Sequence, residues 1–596
     1  MFEGPDRDVH LVRLSGALLG RLPELVPDAA EVHRAARGTL VEAAELADDR
    51  AEPVRVEAPA PDAPAIAVHD TGVAVDHPYL RGVLLGAGSA VPAAGAEDRH
   101  GHGTKMAGVA AFRDMAVAAA SGTASADAWL VSVRLIETDA DRQGGDEDRG
   151  VLWSERTALA VAEAEDLAAG RVVVHNISIG AKNPTPGDRT AWSIAVDDLA
   201  WNGGGGRLLV VAAGNADPVA DAADYPAVNL GTPHEDPAQA WNALTVGAYT
   251  MLAQHGPHDM RLGAGPPLAR PGELSPYTAT SLGGPGGRWI GKPEIVMEGG
   301  NTAPTHGLPG TGMSGLSVLT TGLPGGPRGA LLARTWATSP AAAAASNALA
   351  RVSAAHPALR PATAKALLVH TARWPTAAAA QLPDVRDLLR TFGYGVPDPA
   401  RASSASNRPI MVYEGELVPG AVGQDGKPDR RAVFVELPMP AAELDQIAEA
   451  DVEVTVTLIY FAEPTASRAR RSYAGARARW DMQGPTETAD GFRSRINRLV
   501  RDQGVEQGGG SYEWQIGPDT RSRGTTQHDR ATVPASAVAG TRLVAVYPVL
   551  GWWDTSRLTD RRLPFSLVVS VDLGDVDVDL HAVVSASLDV VIDVDT

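Results

Sequence analysis

Residues 65–72 read AIAVHDTG: four small or branched apolar residues, then His69, Asp70, Thr71 and Gly72. A short apolar run that ends in a polar turn is the signature of a strand buried on both faces. The same texture recurs in AWLVSVRLI at 128–136, RVVVHNISIG at 171–180 and RLLVVAAGN at 207–215, with the helical stretch RTALAVAEAEDLAAG at 156–170 between them. Buried strands alternating with helices predict an α/β domain with a parallel sheet over about residues 65–400. Upstream, residues 1–64 read as a helical extension, with Leu, Val and Ala at helical spacing over 11–47, followed by a Pro- and Ala-rich linker at 58–64. Downstream, DVEVTVTLIYF at 451–461 places Val452, Val454, Val456 and Leu458 on one face and Glu453, Thr455 and Thr457 on the other. That is a half-buried strand; with RLVAVYPVLGWW at 542–553 and FSLVVSVDLGDVDVDLHAVV at 565–584 it predicts a β-sandwich over 401–596.

The chain has 596 residues and no Cys, so disulfides, Cys-ligated metals and a thiolate nucleophile are excluded. Lys and Arg number 52 against 72 Asp and Glu, a formal charge of −20, which argues against nucleic acid as a partner. No apolar run is long enough to suggest a membrane span. The first 28 residues carry acids where a secretory signal needs bases, so the expected location is cytoplasmic.

Three segments bring chemistry: Asp70-Thr71-Gly72 at a strand end, His100-Gly101-His102-Gly103-Thr104 opening a helix, and Thr338-Ser339-Pro340 opening an Ala-rich helix. A serine hydroxyl needs an adjacent base, and the imidazole serving it needs a buried carboxylate to fix its tautomer. The roles fall to Ser339, His102 and Asp70. Asn215, ending RLLVVAAGN, offers a side-chain amide to an oxyanion, and the Ser339 N–H at a helix start offers a second donor. Pro340 suits the first helical turn, where no N–H bond is lost.

In this order the segments resemble the subtilisin-like serine peptidases, the subtilases. The resemblance implies a parallel sheet between helix layers and a peptide or protein substrate lying extended along Ser178, Ile179, Gly180, Ala212, Ala213 and Gly214. Small residues there leave room for an apolar side chain. Asn176-Ile177-Ser178-Ile179-Gly180 and AWNALTVGAYT at 240–250 extend the likeness. KPEIVMEGGN at 292–301, LLVHTARW at 367–374, TVTLIYFAEP at 455–464, DGFRSRIN at 490–497 and VYPVLGWW at 546–553 resemble a bacterial intracellular group. Members of that group are commonly paired with an AAA ATPase, some of them in defence against phage, which makes such an ATPase the implied partner. Residues 1–57 are then expected to restrain the site or dock the partner. The chain departs from the family at Ala337, where Gly-Thr-Ser is usual, and at Ala343, where proline is usual; if position 337 needs φ > 0, alanine strains the turn.

Blander readings stand beside these. A lone Asp-Thr-Gly also marks aspartic peptidases, but they need two such loops, and this chain has one. His100 and His102 alone offer too few ligands for a metal, and neither metal nor cofactor is expected. Ser314, in Gly310-Thr311-Gly312-Met313-Ser314-Gly315, competes as nucleophile, although LSVLTTG after it reads as a strand. Asn215 also suits a turn cap, residues 203–206 read as a flexible Gly loop, and Asp575, Asp577 and Asp579 as a solvated face. Arg468, Arg470, Arg471, Arg477 and Arg479 form a basic patch that reads as a solvated loop. An α/β-hydrolase esterase lacks support, since no Gly-x-Ser-x-Gly surrounds Ser339. A subtilase-fold binding or scaffold module without turnover is the alternative function.

Overall fold

The computed structural model describes residues 54–572, with interruptions at 92–93, 137–151, 184–185, 220, 284–288, 311, 325–329, 405–409, 420–430, 438, 440, 467–471, 503–511 and 555–560. The short strands Phe2–Glu3, Asp8–Val9 and Gly38–Thr39 are also described. The helical reading of 11–47 lies outside these residues except at Gly38–Thr39, which is extended. The expected acidic face at 575–579 lies outside them too.

The central sheet contains β1 (Ala65–Asp70), β2 (Leu84–Ser89), β3 (Trp129–Arg134), β4 (Val173–Ile177), β5 (Leu208–Ala212), β6 (Leu244–Thr250) and β7 (Ile295–Glu298). Their order is β7-β6-β5-β4-β1-β3-β2, and every one of these pairings is parallel; Glu273–Leu274 adds an antiparallel contact to β6. β1 sits in the middle with all six residues buried. Its two faces meet different helices. His69 stacks on His175 at 5.2 Å between ring centres, on the side where Glu165 of α2 (Trp153–Leu167) approaches, whereas Asp70 reaches His102 of α1 (His102–Phe112). Successive strand residues point to opposite faces, so α1 and α2 cover opposite sides of the sheet. α2 packs with α3 (Ala191–Trp201), and α1 with α4 (Thr338–Ala355).

α4 is a nearly continuous run of small residues, almost all buried, and a helix apolar all round belongs in a core. Asn347 Nδ2 on α4 donates to Ala110 O on α1 at 2.9 Å, which fixes the two helices that carry Ser339 and His102.

Beyond residue 410 the strands are antiparallel. β8 (Ile410–Leu417), β10 (Asp451–Tyr460), β12 (Thr526–Pro534) and β14 (Leu563–Asp572) form one sheet, ordered β8-β14-β10-β12; β9 (Val433–Glu436), β11 (Ala476–Met482) and β13 (Leu543–Leu550) form another, ordered β9-β13-β11. Val454, Val456, Trp480, Met482, Val544 and Val569 from the two sheets share one apolar core. The expected exposure of Thr455 and Thr457 is not found: both are buried. α5 (Pro361–His370) of the preceding segment covers that face, and His370 Nδ1 lies 2.9 Å from Thr457 Oγ1. Alternation reveals two faces of a strand but not whether a second element covers the polar one.

Candidate active site

Asp70 ends one central strand, and residues 178–180 and Asn215 follow the carboxyl ends of two others, where parallel sheets hold their sites. β5 ends at Ala212, so Asn215 stands three residues beyond the strand rather than at its last position. The Asp-Thr-Gly turn and the His-bearing helix are locked by close approach. A methyl group on Gly103 would sit 2.1 Å from the Gly72 carbonyl oxygen, so glycine there lets α1 start directly against the turn, while Gly103 N–H donates to Thr71 Oγ1 at 2.8 Å.

Across that contact His102 Nδ1 and Asp70 Oδ1 are 2.7 Å apart, both residues buried. Thr71 N–H donates to the same Asp70 oxygen at 2.8 Å. Asp98, to which no motif in the sequence draws attention, organises the turn between them. Its Oδ1 accepts from Thr71 Oγ1 and from the N–H groups of His100 and Gly101, and its Oδ2 accepts from Thr104 N–H and Oγ1, at 2.7–2.9 Å. The usable signal is an acid four residues before His102, in Asp98-Arg99-His100-Gly101-His102. Burial first, and then the neighbouring His102, hold the His100 imidazole below its ordinary range. Among the described residues no group of three or more His, Asp or Glu side chains is placed to hold a metal.

Ser339 opens α4 and is buried. Its hydroxyl donates to the Ser178 carbonyl at 2.8 Å, and among the described residues it has no hydrogen bond to His102. Asn215 Oδ1 accepts from Thr338 N–H at 3.1 Å and from Thr338 Oγ1 at 2.8 Å, and among the described residues the amide nitrogen has no hydrogen-bond partner. Thr338 also reaches the Gly214 carbonyl at 3.1 Å, so one threonine couples the Asn215 loop to the start of α4. Ser314 serves elsewhere, because its N–H and hydroxyl donate to Asp259 Oδ1 at 2.7 and 3.1 Å and so staple a loop.

A model of the subtilase family matches residues 62–395, more than half of the chain. The chain belongs to the subtilase family. Subtilase-type proteinase psp3 of Schizosaccharomyces pombe is 32% identical over 184 residues, 31% of this chain and 33% of that protein. Subtilisin-like protease 3 of Pseudogymnoascus destructans is 27% identical over 183 residues, 31% of this chain and 37% of that protein. This subtilase thus spans about a third of the length of the curated relatives it matches. Among solved structures, the MycP3 protease of the type VII (ESX-3) secretion system matches at TM-score 0.34 and 22% identity, covering 57% of this chain and 82% of that one. The epidermin leader peptide processing serine protease EpiP of Staphylococcus aureus matches at TM-score 0.36 and 19% identity, covering 58% and 77%.

Within the subtilase frame, Ala337 shows a cost. It takes φ 81° and ψ −163°, a region that favours glycine, directly before the Thr-Ser pair. Such a conformation strains a non-glycine residue by roughly 1–3 kcal/mol, against about 0.8 kcal/mol for the buried methyl that glycine would lose. Ala337→Gly is therefore expected to stabilise the protein by about 1 kcal/mol, read as a higher denaturant midpoint at unchanged slope. A lower midpoint would show that the strain is already relieved.

Proposed function

We propose that this subtilase is a serine endopeptidase. Ser339 attacks the scissile carbonyl, His102 takes the proton and returns it to the leaving amine, Asp70 orients the imidazole, and Asn215 Nδ2 with the Ser339 N–H holds the oxyanion. The observation that carries the reading is the 2.7 Å contact of His102 with a buried Asp70, beside an Asn215 whose oxygen is pinned and whose nitrogen is left to donate. The reading requires that rotation about the Ser339 Cα–Cβ bond re-aim the hydroxyl from Ser178 to the ring, and catalytic hydrogen bonds commonly tighten only when substrate is present.

The substrate would pair along residues 178–180 and 212–214 by main-chain bonds. Gly38–Thr39 already runs antiparallel to Gly180–Ala181. In this reading the amino-terminal segment competes with substrate for one strand edge and restrains the enzyme. The two carboxy-terminal sheets are read as a β-sandwich that backs the peptidase domain. Resemblance to the intracellular group supports a cytoplasmic setting, an AAA ATPase partner and a role in phage defence; no helix among the described residues is long and apolar enough to cross a membrane. The strained Ala337 and a Ser339 hydroxyl turned to Ser178 favour the second reading, a scaffold without turnover.

Fluorophosphonate labelling separates the two, because covalent capture needs an activated serine. Wild type is expected to label at Ser339. Thr39→Pro, which places a residue that strands tolerate poorly in the competing segment, is expected to label faster. An unlabelled wild type and an unlabelled Thr39→Pro would leave the scaffold.

A further inference from the structure

The small residues of the two substrate-lining segments do not enclose an empty apolar space. Glu235, 8% exposed, fills the ground between them. A methyl group on Gly180 would lie 2.6 Å from Glu235 Oε2, and one on Gly214 would lie 2.6 Å from Glu235 Cγ. The stem therefore crosses Gly214, next to Asn215, and the carboxylate lies over Gly180. The backbone holds it there: Glu235 N–H donates to Ala213 O at 3.1 Å, and Asp236 exchanges N–H to carbonyl bonds of 2.8 and 2.9 Å with Ala181. Asp236 itself turns away, its carboxyl accepting from Thr190 Oγ1 and Gln239 Nε2 at 2.7 Å each.

Resting on the proteolytic reading, we propose that Glu235 sets the specificity of the acyl-side pocket, selecting substrates with an arginine or lysine immediately before the cleaved bond. A carbonyl held against Ser339, with its oxygen toward Asn215, belongs to a residue whose side chain must project between residues 178–180 and 212–214, where the carboxylate stands. An apolar side chain there would desolvate that carboxylate without replacing its hydrogen bonds, which is costly, whereas a guanidinium or ammonium supplies charge-assisted donors. A site built around a buried charged group rejects the substrate that cannot pair with it far more strongly than an apolar pocket rejects a misfit. The glycines at 180 and 214 are explained by the same arrangement, since any Cβ would collide with Glu235.

The experiment uses the full chain and a set of fluorogenic peptides that differ only in the residue before the scissile bond: Arg, Lys, Leu, Phe and Glu. Wild type is expected to favour Arg over Leu by about 100-fold in kcat/KM, and Glu235→Gln to reduce that ratio by a similar factor, with Glu235→Asp retaining part of it. Fluorophosphonate capture of each variant reports whether its site is assembled; if Glu235→Gln fails to assemble, the wild-type ranking alone decides. Capture of wild type together with a preference for Leu or Phe would overturn the role of Glu235 and leave the peptidase intact. Neither capture nor cleavage by wild type and by Thr39→Pro would remove the proteolytic reading, and this one with it.

Discussion

Ser339→Ala is expected to lower kcat/KM by about 10⁴-fold or more and to abolish fluorophosphonate capture. The loss is large because the three side chains act as a unit. Without the hydroxyl, His102 has no proton to take, and Asp70 has no imidazolium to stabilise. A residue of rate over the uncatalysed reaction should survive, since Asn215 remains anchored by Thr338 and still offers its donor. Folding should be little changed, because among the described residues the hydroxyl makes only its 2.8 Å bond to the Ser178 carbonyl, and that carbonyl sits in a strand-end segment held by Ser178 Oγ on Asn176 and on the Ser339 carbonyl. Peptide hydrolysis within tenfold of wild type would move the nucleophile elsewhere.

Asp70→Asn is expected to cost about 10⁴-fold in kcat while the protein remains folded. Asp70 Oδ1 receives both His102 Nδ1 and the Thr71 N–H, and Oδ2 is buried with no hydrogen-bond partner among the described residues. An asparagine must choose between two poor arrangements. It either keeps its oxygen on Thr71 and His102 and buries an unpaired NH₂, or flips and presents a donor to the ring, forcing the opposite tautomer. In both cases the negative charge that stabilises the protonated imidazole is gone. A mild effect on kcat would mean that His102 does not cycle through its protonated form, which the proposed mechanism requires.

Much of the proposed site is legible in the sequence because the chemistry restricts which residues could serve. Asp70 ends a strand, Asn215 follows one, and His102 and Ser339 stand at the start of helices, each element recognisable in type from its apolar texture; position 337, where the resemblance points to a glycine, does take positive φ. Other parts have no comparable signature. Glu235 comes from a loop twenty residues after Asn215, and only tertiary folding brings it between Gly180 and Gly214. Asp98 lies in plain view, but its five hydrogen bonds depend on a turn conformation that no periodicity encodes. Thr455 and Thr457 look solvated because alternation within β10 carries no information about α5, nearly ninety residues earlier, which covers them.

The seam between α5 and the carboxy-terminal sheets is as polar as it is buried. Glu294 Oε1 takes Lys292 Nζ at 2.5 Å, Lys365 Nζ at 3.2 Å and Thr526 Oγ1 at 3.2 Å. Tyr473 OH donates to Asp197 at 2.6 Å, and Asn242 exchanges bonds of 2.8 and 2.9 Å with the backbone of Ala462. Desolvated charges of this kind are tolerated only while every partner is present, and losing one side leaves the other buried and uncompensated. The two halves are consequently not modular. A gene cut after codon 400 would strip Glu294, Asp197 and Asn242 of partners at one stroke, so the subtilase domain and the distal sheets are expected to be inherited, exchanged and lost together.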